Sequence, residues 1–201
     1  MRARRAAILA GGLSRRMGLP KAGIRLLGRP MIAYPLAAAA AAGLEALVVA
    51  KKDTLLPDVG AEVLREAEDA VHPLAGIVTA LEHTGEPLVI LACDVPLVPP
   101  GLVAELAERT APLVVPADPR PQPLVARWDA ALLDRLRPAL KTGAPLVRLV
   151  AELGAEAIAG EELRRFGDPG EIFFNVNDEA GLARAAKLLV PQAGTSSTRA
   201  L

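Results

Sequence analysis

Three basic residues follow a glycine pair near the start of the chain. The apolar run 6–10 ends at glycines 11–12, and Arg15, Arg16 and Lys21 come shortly afterwards. Glycines leave backbone N–H groups unshielded, and the three cations add positive charge, so such a loop suits a polyphosphate. A loop just past the carboxyl end of a first strand is also where nucleotides bind in α/β proteins. The segment therefore predicts a site for nucleotide phosphates.

The spacing in this loop differs from two common phosphate-binding motifs. A P-loop has Ser or Thr directly after its lysine, whereas Ala22 follows Lys21. Gly11, Gly12 and Gly18 do not give the G-x-G-x-x-G spacing of a dinucleotide fingerprint, which disfavours a dehydrogenase. A plain glycine turn with surface arginines remains the alternative to phosphate binding.

A single aspartate closes the apolar run 88–93. This run is typical of a strand buried on both faces, and it places Asp94 at the same sheet edge as the opening loop. Mg²⁺ prefers one or two carboxylates together with phosphate oxygens and waters, so Asp94 is a candidate metal ligand. Capping of the turn before Pro96 is an equally good interpretation. Cys93 is expected to be a buried apolar residue rather than a nucleophile.

Two further segments carry candidate binding groups. Small residues in the stretch 72–76 permit close backbone approach to a ligand, although a plain turn into a helix explains them as well. Asn175 and Asn177 alternate in a segment expected to be extended, which would place both amides on one face. Helix capping by Asn177 or Asp178 is the competing explanation.

The elements that must position these residues alternate between strands and helices. Such alternation indicates one α/β domain with a mainly parallel sheet and right-handed crossovers. The length of 201 residues suits one domain, residues 1–190, followed by a flexible tail, 191–201. Strands are predicted at 6–10, 47–50, 63–64, 88–93, 113–115, 124–126 and 172–174, and helices at 30–42, 74–81, 102–109, 129–141, 146–153 and 178–189.

The composition narrows the possible partners. Acidic and basic residues balance at 23 each and aromatic residues make up 2%, so neither a basic surface nor a stacking platform for nucleic acid is expected. The single cysteine excludes an intramolecular disulfide. The first apolar run is too short for a secretory leader or a membrane span, so we expect a cytoplasmic protein without membrane contact.

Taken in order, the motifs resemble those of the molybdenum cofactor guanylyltransferases, which belong to the nucleotidyltransferase superfamily and make molybdopterin guanine dinucleotide. The opening motif is shared with the wider superfamily, including cytidylyltransferases, whereas the Pro-Leu-Ala-Gly turn and the Asn-x-Asn segment narrow it to the molybdopterin branch. The matching segments are Leu9–Gly12 with Ser14–Gly18 and Lys21, Gly28–Met31, Pro73–Gly76, Cys93–Pro96, Gln122–Leu124 and Phe174–Asn177.

The resemblance implies a single Rossmann-like three-layer domain of the nucleotide-diphospho-sugar transferase type. It implies the magnesium-dependent transfer of GMP from GTP to molybdenum-molybdopterin, with release of diphosphate. A monomer is expected, with transient contacts to the proteins that deliver and accept the cofactor. The implied site residues are Leu9, Ala10, Gly11, Gly12, Lys21, Glu66 and Asp94 for the nucleotide, Arg15, Arg16, Lys21 and Asp94 for catalysis, Asp94 for the metal, and Asn175 and Asn177 for the pterin.

Three departures from the family pattern bear on the choice of base. Lys51-Lys52 stand where the family often has an asparagine, and His72 stands where it has a glycine. The acid on the guanine side has no clean match, and Glu66 is the first candidate, followed by Glu68 and Asp69. A cytidylyltransferase for the same pterin, or another small-phosphate nucleotidyltransferase, is therefore an alternative. A non-catalytic nucleotide sensor or cofactor carrier is the alternative from another class.

Overall fold

A computed structural model describes residues 1–11, 13–14, 19–66 and 72–190. The expectations for Gly12, Arg15, Arg16, Glu68, Asp69 and the segment 191–201 lie outside these residues. The strands are β1 (Arg5–Leu9), β2 (Leu13–Ser14), β3 (Leu19–Pro20), β4 (Arg25–Leu26), β5 (Arg29–Pro30), β6 (Glu45–Ala50), β7 (Glu62–Arg65), β8 (Leu88–Ala92), β9 (Leu113–Ala117), β10 (Val125–Trp128) and β11 (Glu156–Ala159). The helices are α1 (Ala33–Ala41), α2 (Pro73–Thr84), α3 (Pro100–Glu108), α4 (Leu133–Thr142), α5 (Leu146–Glu152), α6 (Gly160–Arg164), α7 (Pro169–Ile172) and α8 (Glu179–Leu189).

Seven of the strands form one sheet in the order β11-β9-β10-β8-β1-β6-β7. All neighbouring pairs are parallel except those of β10, which runs antiparallel to both β8 and β9. Leu9 at the end of β1 pairs with Val49 in β6 and with Ala92 in β8. The carboxyl ends of these three strands therefore meet at one edge. The prediction of a mainly parallel α/β sheet is confirmed.

Helices cover both faces of the sheet because the strand residues are apolar on both sides. On one face, Ile8, Val48 and Val89 pack with residues of α1 and α3, such as Ala39 and Leu102. On the other face, α2, α4 and α5 pack over the residues in between, and this core includes Ala7, Leu47, Ile90, Leu81, Leu136, Leu149 and Trp128. The alternation follows the two-residue period of a strand, so one sheet separates two apolar cores. None of the helices among the described residues is long and apolar enough to cross a membrane.

The prediction of a strand at 172–174 is wrong. Pro169–Ile172 forms the short helix α7, in which Asp168 Oδ1 accepts a 2.7 Å hydrogen bond from Gly170 N. Ile172 and Phe173 are both buried in the core. A short apolar run is equally compatible with a buried strand and a buried helical turn, because periodicity cannot separate them at this length.

Candidate functional site

Lys21 joins two distant segments at the carboxyl edge of the sheet. Its Nζ donates to Asp94 Oδ2 at 2.8 Å and to Asn177 Oδ1 at 2.6 Å. The Lys21 side chain is 13% exposed and that of Asp94 is 19% exposed, so water screens the pair only partly. One cation thereby holds the opening segment, the end of β8 and the segment before α8 at one point.

The backbone fixes Asp94 from two sides. Strand β8 is buried along its whole length, and just beyond its end Cys93 N donates to Leu9 O at 3.1 Å. Val176 N donates to Asp94 O at 2.9 Å, which attaches the segment before α8 to the same residue. The carboxylate of Asp94 therefore projects from a backbone that is held rigidly to its neighbours.

Part of the backbone at the end of β1 is already used within the sheet. Ala10 N donates to Val49 O at 2.7 Å, and Leu9 O accepts from Cys93 N. The Ala10 N–H is therefore not available to a ligand. A hydrogen bond from a ligand to the Ala10 backbone therefore has to use the Ala10 carbonyl.

The Cys93 thiol is held in its protonated form. The residue is 3% exposed, and burial raises its pKa to about 12, with a further contribution from the neighbouring charge of Asp94. Because the thiolate is the nucleophile, a thiol with this pKa is inert at neutral pH. The structure agrees with the interpretation of Cys93 as a packing residue.

The two asparagines of the Asn-x-Asn segment make different contacts. Asn177 reaches Lys21, whereas Asn175 Nδ2 donates to Phe173 O of its own segment at 3.4 Å. Asp178 Oδ1 accepts from Gly181 N at 2.9 Å and caps α8, as predicted. The structure thus brings Asn177, but not Asn175, into contact with Lys21.

A second candidate position of the site is Glu66, directly after β7. Glu66 is 8% exposed, and its N–H donates to Ala50 O at 2.9 Å, beside the end of β6. A Cβ built on Gly76 would lie 2.8 Å from Glu66 Oε1, and one built on Gly11 would lie 3.3 Å from it. The glycines at 11 and 76 are thus what allows the carboxylate to sit between the opening loop and α2.

Burial raises the pKa of the Glu66 carboxyl, and the positive charge of Lys51 acts in the opposite direction. A carboxylate withdrawn from water and placed against two glycines is typical of a ligand-binding position. His72, directly before the first residue of α2, has a structural role, since its Nδ1 accepts from Leu74 N at 3.2 Å and caps the helix.

Asp94 is the candidate metal ligand at the end of β8. Within residues 1–11, 20–66 and 72–190, no group of three or more His, Cys, Asp or Glu side chains could hold a metal ion. A single carboxylate still fits Mg²⁺, because this ion keeps several waters and takes its other ligands from substrate phosphates. The donor set thus fits a metal that is held jointly by the protein and a nucleotide.

Comparison with known proteins decides the family. The family model described as the MobA-like NTP transferase domain matches residues 6–157. The chain belongs to the MobA-like NTP transferase family. It is similar to the molybdenum cofactor guanylyltransferase of Acidiphilium cryptum, with 35% identity over 90% of this chain and 93% of the relative. The molybdenum cofactor guanylyltransferase of Shewanella pealeana is 32% identical over 86% of this chain and 88% of its own length.

Solved structures agree with this family. Molybdopterin-guanine dinucleotide biosynthesis protein A from Archaeoglobus fulgidus superposes with a TM-score of 0.77 at 26% identity, covering 92% of this chain and 97% of that one. A 2-C-methyl-D-erythritol 4-phosphate cytidylyltransferase from Thermus thermophilus has a TM-score of 0.68 at 22% identity, covering 92% of this chain and 98% of that one, and shares the fold. The chain is a nucleotidyltransferase with the α/β fold of the nucleotide-diphospho-sugar transferases.

Sequence reasoning missed the position of Lys51. Its Cγ would lie 3.3 Å from a Cβ on Gly11, the same glycine that borders Glu66. The available signal was the departure from the family pattern at Lys51-Lys52, but the sequence does not show which lysine points toward Gly11. That depends on the register of β6 against β1, which only the structure gives.

Proposed function

We propose that this nucleotidyltransferase transfers GMP from GTP to molybdenum-molybdopterin, forming molybdopterin guanine dinucleotide and diphosphate in a magnesium-dependent reaction. The observation that carries the proposal is the contact of Lys21 with both Asp94 and Asn177. The names of the relatives support the substrates, since two of them, both at least 32% identical, are called molybdenum cofactor guanylyltransferases.

In this proposal the acceptor is the terminal phosphate of the pterin. Its oxygen attacks the α-phosphorus of GTP in line, a new P–O bond forms, and the bond from the α-phosphorus to the oxygen leading to the β-phosphate breaks. The electron pair of that bond leaves with diphosphate. Because the attacking oxygen is already an anion, the step needs no general base, and the task of the protein is to position two anions and offset their charge.

Among the residues that the structure describes, Lys21 is a cation positioned to offset this charge. It lies against Asp94 at the strand end, and Arg15 and Arg16 follow the same opening motif in the sequence. Together they would offset the charge that develops on the departing diphosphate. Asp94 would hold Mg²⁺, which supplies positive charge to the phosphoryl oxygens when bound. Asn177 and Asn175 would lie on the acceptor side.

Glu66 is proposed as the acid on the guanine side. Its carboxylate lies against Gly11 and Gly76, next to the strand ends where the nucleotide would bind. A carboxylate accepts two hydrogen bonds in parallel, and guanine offers the N1–H and the N2 amino group side by side. Glu68 and Asp69 are the other two candidates from the sequence.

The test is a nucleotide panel with the acceptor present. The purified protein is incubated with Mg²⁺, molybdenum-molybdopterin and GTP, CTP, ATP or UTP in turn, and both the dinucleotide product and diphosphate are measured. We expect product with GTP in preference to the others. Preferential product with CTP would make the protein a cytidylyltransferase. The absence of diphosphate release with every nucleotide would overturn the proposal in favour of a sensor or carrier.

A further inference from the structure

Two opposite charges border one glycine on the nucleotide side of the site. A Cβ on Gly11 would lie 3.3 Å from Lys51 Cγ, 3.7 Å from Lys51 Cε and 3.3 Å from Glu66 Oε1. The aliphatic stem of the lysine and the carboxylate of the glutamate therefore lie against the same small space above Gly11. Burial raises the pKa of the Glu66 carboxyl, and the positive charge of Lys51 opposes that rise, so the two groups are close enough to interact electrostatically.

The backbone holds Lys51 in this place. Lys51 follows the end of β6, and its carbonyl accepts from Arg65 Nη1 at 2.9 Å and from Thr54 N at 3.1 Å. The residue is half-buried, whereas Lys52 beside it is exposed. The backbone of Lys51 is thus fixed and its aliphatic stem lies against Gly11, which favours a specific role over a general contribution to surface charge.

We propose that Lys51 recognises the O6 atom of the guanine whose N1–H and N2 amino groups bind Glu66 in the proposed function. This inference rests on the proposed function. An ammonium group only donates hydrogen bonds and a carboxylate only accepts them. Guanine presents an acceptor, O6, directly beside two donors, so its edge matches a lysine and a glutamate placed side by side.

The same pair disfavours the other bases. Adenine has an amino group at C6, which would meet the ammonium of Lys51 donor to donor. Cytosine offers one amino group where guanine offers two donors to the carboxylate of Glu66. A buried polar group left without its partner is costly, so a site built from charged groups discriminates more strongly than an apolar pocket. Lys51 is therefore assigned as a specificity-determining residue.

The experiment compares nucleotides that differ by one group. Dissociation constants for GTP, 6-thio-GTP and ITP, each with Mg²⁺, are measured by titration calorimetry on the wild-type chain. 6-thio-GTP has a sulfur, a weak acceptor, in place of O6, and ITP lacks the N2 amino group. We expect the wild type to bind GTP about tenfold or more tightly than either analogue, as for a hydrogen bond to a charged group.

The variants separate the two contacts. In Lys51→Met the ratio of the affinity for GTP to that for 6-thio-GTP should fall to near one. The ratio of the affinity for GTP to that for ITP should stay as in the wild type. In Glu66→Gln the GTP to ITP ratio should fall instead. Lys51→Arg keeps a cationic donor and should retain a preference for GTP over 6-thio-GTP. The matched control is Lys52→Met, which makes the same charge change one residue along and should leave both ratios unchanged.

The outcomes distinguish this inference from the proposed function. If the wild type prefers GTP and Lys51→Met keeps the wild-type ratio of GTP to 6-thio-GTP, the role of Lys51 is wrong and the proposed function stands. If the nucleotide panel gives product with CTP in preference to GTP, both are wrong. Melting temperatures measured on each variant show whether a lost ratio reflects recognition or unfolding, and Lys51→Arg supplies the second variant where Lys51→Met is unstable.

Discussion

Lys21 and Asp94 are separated by 73 positions in the chain and meet at 2.8 Å. We expect Asp94→Asn and Lys21→Ala each to lower turnover by about 100- to 1000-fold, the effect of removing one preorganised group that stabilises charge in a transition state. Both variants should still fold, because the buried core around β8 does not include either side chain. Product formation and circular dichroism would be measured together.

The control for Asp94→Asn is Asp134→Asn. Asp134 pairs with Arg137 at 3.1 Å, but its side chain is 95% exposed and it lies in α4. Its loss should leave turnover unchanged. Near-normal turnover in Asp94→Asn or Lys21→Ala would remove that residue from the proposed chemistry.

Glu66 should give opposite effects on stability and on binding. Burial raises the pKa of its carboxyl, so ionisation costs stability in the folded state, and this cost appears as the pH rises through the raised pKa. GTP binding needs the carboxylate, so affinity should fall as the pH drops through the same value. Glu66→Gln should be at least as stable as the wild type at neutral pH and should bind GTP about tenfold more weakly.

The measurement is a set of GTP titrations and urea denaturations across the acidic range. The binding profile of Glu66→Gln should lose the acid-side decline that the wild type shows. A variant that binds GTP as tightly as the wild type, with the same pH profile, would contradict the role of Glu66.

Residue types and spacing were enough to nominate Lys21, Asp94 and Asn177 as candidates, and the resemblance to a known family added Glu66. The sequence could not show that the Ala10 N–H is used inside the sheet, because that depends on which strand lies beside β1. It also could not show that Lys51 borders the same glycine as Glu66. Both facts depend on strand order and register, and these arise from packing over the whole sheet.

At the scale of elements, strong buried runs were predictable and weak or ambiguous ones were not. Strand β8 is buried at every position and helix α8 has an aspartate cap, and both were predicted close to their observed bounds. Strand β11 was missed because only one of its four residues is buried. The direction of β10 was not predicted either, since a short apolar strand has the same pattern in either orientation.

Gly76 allows helix α2 to lie close to the carboxylate of Glu66. In a helix, alanine is favoured over glycine by about 1 kcal/mol, but a Cβ here would lie 2.8 Å from Glu66 Oε1 and 3.1 Å from Leu9 Cδ2. The flexible end of Glu66 can move away at small cost in stability. We therefore expect Gly76→Ala to fold with little change in melting temperature and to bind GTP about tenfold or more weakly, as for a misplaced binding group.

Gly101→Ala is the matched control for this element. Gly101 lies in the first turn of α3, and a Cβ built on it would lie 3.4 Å and 3.7 Å from two ring atoms of Phe166. The substitution should leave GTP affinity unchanged. Equal GTP affinity in Gly76→Ala and the wild type would show that the Glu66 carboxylate does not contact the nucleotide.

At the scale of the whole molecule, Arg127 connects the first residue of the chain to strand β10 of the sheet. This residue of β10 is fully buried, and its guanidinium donates to Met1 O at 2.8 Å, to Ala111 O and to Asp129 Oδ2 at 3.1 Å. Arg127→Met keeps most of the aliphatic part of the side chain but leaves these three acceptors without their donor. We expect a loss of about 3–5 kcal/mol in the free energy of unfolding, as for breaking a buried charged pair.

The control for Arg127→Met is an exposed arginine with two acidic partners. Arg137 bonds Glu82 at 2.8 Å and Asp134 at 3.1 Å, and its side chain is 49% exposed. Arg137→Met should cost no more than about 1 kcal/mol. Urea denaturation of both variants gives the comparison, and equal losses would show that burial of Arg127 contributes little.

Trp128 gives the molecule a built-in optical reporter. It is the only tryptophan in the chain, it is fully buried, and its Nε1 donates to Pro123 O at 3.0 Å. Trp128 pairs with Leu88 at the amino end of β8, so about 13 Å of strand, at a rise of about 3.3 Å per residue, separates it from the carboxyl end of β8, beyond which Asp94 lies. Its emission should therefore be blue-shifted in the native protein and red-shifted on unfolding. Nucleotide binding at the opposite edge should leave the emission unchanged, so tryptophan fluorescence follows folding independently of occupancy.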